Sequence, residues 1–381
     1  MFIKRQPFSP MMNIALVRIV DRWAGNMLCS LGGFLTGKKP IPQSPKTIAV
    51  IQLWGIGESI LTLPTIKAIR DHFPKAHLTV IATARNKDVF SGQTFIDALQ
   101  VMPLQPLQML SFCYKYRQAF DLAIDMEEYL NISALVSLFI GKFRVGFSHG
   151  ARARLYHHKV TYNDLQHCSE AFADLARSLG IKVKVEKLIP IHFTGADTKK
   201  VNAMLKECKL QREKLVLIAP SVAESAKQRM WPLDRFASVA DHLIDGGKQV
   251  AFIGIAQEQP IIRQILSMMK QKAENLAGKT TLSETACLAT HAILLIGNDS
   301  GPMHLSAAMG TKTIGLFGPN LPLRFRPIGT NNAAIYKALC PCSPCINVHK
   351  GQLGNCRNND PQCMKAITVE DVEKEVKRLL Q

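Results

Sequence analysis

Apolar residues recur along most of the chain at two alternating periods. Short β-rich runs (KTIAVIQL, HLTVIAT, DLAIDM and FRVGF) are separated by segments of helical spacing, one from about Ser59 and others near Pro106 and Asn131. Buried strands alternating with helices predict a parallel sheet flanked by helices. After a helix at 170–179 and a polar stretch at 193–200 the pattern restarts with KLVLIAPS. Helix, strand, helix and strand then follow at 234–243, KQVAFIGI, 258–269 and AILLIG. The two starts, IAVIQLWGIGES and LVLIAPSVAES, match in kind: each is a buried strand running into a small-residue loop and then a helix, as at the first crossover of a nucleotide-binding α/β domain. Two doubly wound domains facing one another across a cleft are expected, over 46–195 and 196–335.

The flanking segments read differently. In the extension 1–45, Leu16, Val20, Trp23, Met27, Leu31 and Phe34 fall on one helical face, with Arg18, Asp21, Arg22 and Gly25 opposite. With Lys4, Arg5, Lys38 and Lys39 at its ends, this amphipathic helix either lies in the interface of an anionic leaflet or packs on the protein's own core. Residues 320–367 break the rhythm, with a cysteine-rich segment at 336–367. A helix at 368–381 closes the chain, its acidic first turn (Glu370, Asp371) and basic end (Lys377, Arg378) matching the helix dipole.

Length and charge narrow the picture. The 381 residues exceed one ordinary core, in keeping with two domains. A net charge of +18, from 47 basic and 29 acidic side chains, points to an anionic partner: nucleic acid, an anionic membrane or a phosphorylated substrate. Only 7% of residues are aromatic, and no basic stretch is interleaved with stacking rings, which argues against nucleic acid. Arg18, Asp21 and Arg22 interrupt the N-terminal apolar stretch, so neither a signal peptide nor a membrane span is expected, and the cytoplasm is the expected compartment. Cys29, Cys113, Cys168, Cys208 and Cys287 are scattered, as suits a reducing compartment. Cys340, Cys342, Cys345, Cys356 and Cys363 crowd together. Four of them, Cys342, Cys345, Cys356 and Cys363, could hold a structural zinc, although free thiols or a redox-formed disulfide account for them as well.

The segment ILLIGNDSGPMHLSAAM carries the clearest chemistry. A strand ends at Gly297, the turn 298–302 follows, and a helix begins at once, offering unpaired N–H groups to phosphate. His304 in its first turn could donate to the same anion, and Asp299 could accept from sugar hydroxyls, with Ser300 and Gly301 completing the turn. The plainer reading is that Asp299 and Ser300 cap the helix.

GNDSGPMHLSAAMGTKTIGLFGP, LWGIGESILTLPTIKAIRDHFP, RMWPLDRFASVADHL and NLAGKTTLSETACLATHA together span 47 to about 318. In this order they resemble the ADP-heptose:lipopolysaccharide heptosyltransferases, glycosyltransferase family 9. The resemblance implies a GT-B fold with acceptor bound by the N-terminal domain and nucleotide sugar mainly by the C-terminal one. It implies inverting transfer of heptose from ADP-heptose to a lipopolysaccharide core-type acceptor at the cytoplasmic face of the inner membrane, with no cofactor required for the transfer. Such chemistry needs a base, in-line approach and positive charge for the departing diphosphate. Glu58 occupies the place of the family's catalytic acid, usually Asp, and is assigned as general base. Arg229 stands where the family usually has Lys, facing the diphosphate, with Lys227 as a nearby substitute. Ser221 and Ser225 are candidate phosphate donors, and Glu258 matches an acidic position that binds ribose hydroxyls. On residue type alone, the two glutamates are also ordinary first-turn acids and the serines ordinary turn residues. Two other functions remain open: transfer of a different nucleotide sugar to another surface polysaccharide, and a non-catalytic module binding anions or nucleic acid.

Overall fold

The computed structural model describes residues 20–347, 356 and 360–381, with the side chains of Leu35, Glu224 and Ser225 outside that description. In the first half the apolar runs form β1 (Thr47–Ile51), β2 (His77–Ala82), β4 (Phe120–Asp125) and β5 (Gly141–Phe147), joined by the shorter edge strands β3 (Ala98–Val101) and β6 (His158–Val160). The second half holds β7 (Leu215–Ala219), β8 (Gln249–Phe252), β9 (Glu274–Asn275), β10 (Leu294–Asn298), β11 (Thr313–Phe317) and β12 (Asn332–Tyr336). Every pairing is parallel. The first sheet runs β3-β2-β1-β4-β5-β6 and the second β9-β8-β7-β10-β11-β12, the same order twice. Central strands such as β7 and β10 are buried throughout, because helices cover both faces of a parallel sheet.

The N-terminal half carries helices α1 (Asn26–Gly32), α2 (Ile56–His72), α3 (Pro106–Lys115), α4 (Asn131–Ile140) and α5 (Cys168–Arg177). Side chains alternate across the strands, so Val50 and Val80 pack with Ile60 and Phe172 on one face, while Ala49, Ile51 and Ile81 pack with Phe112 and Val136 on the other. α2 and α5 therefore cover one face, and α3 and α4 the opposite one. The second half carries α6 (Gly195–Glu207), α7 (Leu233–Asp245), α8 (Gln259–Met268), α9 (Leu282–Ala289), α10 (Gly301–Ala308) and α11 (Val369–Leu380). The stretch at 193–200 is thus largely helix: Thr194 and Asp197 cap α6 reciprocally, so its polar residues mark a helix start rather than a loop.

The N-terminal helix docks by a face other than its apolar stripe. Residues 21–35 wind through a π-turn, α1 and a 3-10 turn, and they dock through the face bearing Gly25, Cys29 and Gly32. A Cβ on Gly25 would lie 2.7 Å from Cβ of Asn131, and one on Gly32 2.9 Å from a Leu155 methyl, so the backbones meet where glycine permits it. The Asp21 carboxylate accepts from the N–H groups of Asn131 (3.0 Å) and Ile132 (2.8 Å), capping α4 from a distance. Trp23, Met27, Leu31 and Phe34 consequently remain exposed, so the apolar stripe is not what binds this helix to the core. Leu16, Arg18, Lys4 and Arg5 lie outside the described residues.

α11 begins in a capping box, with Asp371 N–H donating to Thr368 Oγ1 at 3.2 Å and Thr368 N–H to Asp371 Oδ2 at 2.9 Å. Replacing Thr368 with Ala should lower unfolding stability by about 1 kcal/mol, read as a reduced urea midpoint at unchanged slope.

Candidate active site

Parallel sheets leave their crevice at the carboxyl ends of the strands where the order reverses, here between β1 and β4 and between β7 and β10. Both crevices open into one cavity of about 440 Å³, lined by the loops after β1, β4, β7, β8 and β10. Two helix N-termini meet there. A Cβ on Gly57 in the first turn of α2 would stand 2.9 Å from Cδ2 of His304, and one on Gly301 would stand 3.4 Å from Ile56 Cβ, so the domains touch through glycine backbone.

Glu58 lines the cavity, half-buried. Gly55 precedes it with φ of 71°, and a Cβ there would fall 1.9 Å from Glu58 Oε2, so the carboxylate folds over a position only glycine can occupy. Burial raises the Glu58 pKa above the ordinary value of 4.5. Its own backbone N–H and Arg229 oppose the rise, and the carboxylates of Glu128 and Asp299 add to it. The same interactions place Glu58 within electrostatic reach of the opposite domain.

Across the cavity, Arg229 Nη1 stands 3.3 Å from Asp299 Oδ2, and Asn320 donates to that oxygen at 2.7 Å. Asp299 thus orients the guanidinium, beyond any part as an acceptor for sugar hydroxyls. Trp231 anchors the preceding loop: fully buried, it donates from Nε1 to the Ile367 carbonyl at 3.0 Å, while its backbone N–H donates to Asn298 Oδ1 at 3.0 Å. The stretch RMWP is therefore an anchored arm that carries Arg229. Lys227 is exposed and stands outside the cavity lining. In the tight turn 224–229, Ala226 and Arg229 lie three apart and share the inward side, so of the two cations it is Arg229 that faces the cavity.

Four buried polar atoms of cavity-lining residues have no partner among the described residues: Gln52 Oε1, Ser221 Oγ, Arg229 Nε and His304 Nδ1. Burial without a partner costs free energy, and convergence on one cavity marks a place for a polar ligand. Burial, with Arg229 beside it, lowers His304 to about 4, so its ring is neutral at pH 7 and can still donate from one nitrogen. Ser300 makes no side-chain cap to α10, and its hydroxyl donates to the Asn298 carbonyl at 3.2 Å instead. The plain capping role of the turn is not what the structure shows. Ser300 and Gly301 line the cavity, whereas the Ser225 side chain lies outside the described residues. Glu258 also lines it, but its Oε2 accepts from Ile255 N–H at 2.8 Å, which closes the loop at 255–258.

Several residues here escaped the sequence reading. Glu127 accepts from the N–H groups of Leu53 (2.6 Å) and Trp54 (2.8 Å) and from Gln52 (3.1 Å), pinning the loop that presents Glu58. Burial, then Asp125, pushes Glu127 up to about 8. Glu128 pairs with Arg324 of the other domain at 3.2 Å, with the Tyr162 hydroxyl bonded to both. The signal was present: MEEY directly follows β4, at the same carboxyl-end position that singled out Glu58 and Asp299.

The cysteine segment packs behind the cavity, with Cys345 and Ile346 donating backbone N–H groups to the Pro319 carbonyl beside Asn320. Burial pushes Cys363 up to about 12 and raises Cys345, with neighbouring thiols adding to both. Cys342 is exposed and Cys356 half-buried. Among the described residues no three His, Cys, Asp or Glu side chains are arranged to hold a metal ion.

Comparison with known proteins agrees with this fold. Residues 112–353 match the model of glycosyltransferase family 9 (heptosyltransferase). Lipooligosaccharide heptosyltransferase 2 of Campylobacter jejuni is 25% identical over 333 residues, covering 85% of this chain and 95% of that protein. Lipopolysaccharide heptosyltransferase 3 of Escherichia coli is 26% identical over 297 residues, covering 71% and 82%. Among solved structures, a family 9 glycosyl transferase from Veillonella parvula superposes with a TM-score of 0.75 at 21% identity, covering 89% of this chain and 98% of that one. The E. coli ADP-heptose heptosyltransferase II gives 0.69 at 22% identity, covering 88% and 98%. Two like-wound parallel sheets sharing one cleft are the GT-B arrangement, and the chain belongs to glycosyltransferase family 9.

Proposed function

We propose that this glycosyltransferase moves heptose from ADP-heptose, with inversion, onto a hydroxyl of a lipopolysaccharide core-type acceptor at the cytoplasmic face of the inner membrane. Glu58 takes the acceptor proton as the hydroxyl oxygen bonds to the anomeric carbon, and the bond from that carbon to the diphosphate oxygen breaks on the opposite side. The released negative charge falls to Arg229, the N-terminus of α10 and the Ser221 hydroxyl, with neutral His304 as a further donor. The observation that carries the reading is the convergence on one cavity of Glu58, the Asp299-held Arg229 and the unpartnered atoms of Ser221, Arg229 and His304. The relatives' names support the sugar and the acceptor class, and the charge of +18 suits a phosphorylated core beside anionic lipid.

The test is to incubate the purified full chain with ADP-heptose and a deacylated, water-soluble truncated core, and to follow the acceptor by mass spectrometry. A gain of one heptosyl unit is expected. Product from another nucleotide sugar but not from ADP-heptose would reassign the donor, and no product from any donor would overturn the reading.

A further inference from the structure

The first domain presents an apolar surface that the transfer chemistry leaves unused. On α1 and the turns that flank it, Trp23, Met27, Leu31 and Phe34 are 75%, 60%, 59% and 88% exposed. On α3, Leu107, Leu110 and Tyr114 are 82%, 56% and 79% exposed. Helix α4 packs against both α1 and α3, so the three form one layer over the sheet face opposite α2, and Phe139 of α4 is exposed as well. Single exposed apolar residues are ordinary, but a layer of them on adjacent helices is not.

Charge decides what covers this layer. Arg22, Lys38 and Lys39 flank the first stripe and Lys115 and Arg117 follow the second, all exposed. No Asp or Glu occurs in 22–46 or 98–120, and the acids at their margins are committed: Asp21 to the backbone of α4, Asp97 to Arg70 and Asp121 to Lys142. A second copy docking through the same face would set these cations against their own copies, since a twofold contact pairs a surface with itself. An anionic bilayer satisfies both parts: aliphatic side chains enter the acyl boundary, Trp and Tyr sit at the headgroups, and the cations meet lipid phosphates.

We propose that the layer formed by α1, α3 and α4 is a membrane-docking face that inserts Trp23, Leu31, Phe34, Leu107 and Tyr114 into an anionic leaflet. The small-residue face of the N-terminal helix is spent on docking to α4, which leaves the apolar stripe free for lipid. The proposal rests on the lipid-anchored acceptor of the proposed function for its biological sense, and on the exposed stripes and their charge for its physics.

The experiment floats the full chain with vesicles of phosphatidylcholine alone or mixed with phosphatidylglycerol. It compares wild type with Trp23→Ser/Phe34→Ser and with Leu107→Gln/Tyr114→Gln. Wild type should float with the mixed vesicles only and do so less at high salt, and each double variant should partition at least about tenfold more weakly. Transfer to the deacylated acceptor should be unchanged in both variants, which also shows that they are folded. Variants that float like wild type, or wild type that floats with neither vesicle, would overturn the proposal. So would a dimer in gel filtration that the substitutions convert to monomer, since the face would then belong to a second copy. If no donor yields product while flotation follows the expected pattern, the proposed function fails, the docking face stands, and thermal unfolding replaces transfer as the folding control.

Discussion

Glu58→Gln should lower kcat by about 10²- to 10⁴-fold while leaving the affinity for ADP nearly unchanged. Gln keeps the shape that folds over Gly55 and removes only the ability to take a proton. The pH profile gives the second readout. Because the folded-state pKa is raised, the acid limb of kcat/KM for wild type should lie above the ordinary glutamate value of 4.5, and the limb should vanish in the variant. Stability should move the other way. A carboxylate whose pKa is raised on folding weakens the native state once the pH exceeds the unfolded value, so Glu58→Gln should unfold at an equal or higher temperature at pH 7. Loss of turnover together with unchanged or improved stability separates a chemical role from a structural one. Glu58→Asp, which restores the residue usual in the family, should recover part of the rate. A Gln variant that turns over like wild type would remove Glu58 from the mechanism.

Arg229→Ala should reduce kcat by about 10²- to 10³-fold and weaken ADP binding, because one cation serves both the bound diphosphate and the charge that develops on it. It should also cost stability, since Asp299 would be left buried with Asn320 and no positive partner. Arg229→Lys restores the charge without the planar fork, so partial recovery of both properties is expected. Steady-state kinetics with calorimetric titration of ADP measures the two effects. A fall in kcat with ADP affinity intact would confine Arg229 to the transition state, and a change in neither would move the diphosphate elsewhere in the cavity.

The fold was legible wherever burial writes a pattern. β1, β2, β4, β5, β7, β8 and β10 are near-continuous apolar runs because both sheet faces are covered. β3, β9 and β12 are short or half-exposed at the sheet margins, where the pattern fades, and β12 lies inside the segment read as irregular. The candidate site was legible to the extent that its residues follow strand ends, as Glu58, Asp299 and Glu258 do. Asn320, Arg324 and the Glu128–Tyr162 pair owe their places to contacts between segments far apart in the chain, which local spacing does not encode. The N-terminal helix shows the converse: its apolar periodicity was plain, but which face docks was decided by glycines that permit close backbone approach.

The glycine contact between Gly57 and the His304 ring gives the transfer cycle a constraint of its own. Burial between the two lobes is what lowers the proton affinity of that imidazole, so any parting that admits water to it would raise that affinity again. A side chain added at Gly57 would crowd the ring and wedge the lobes apart from the start.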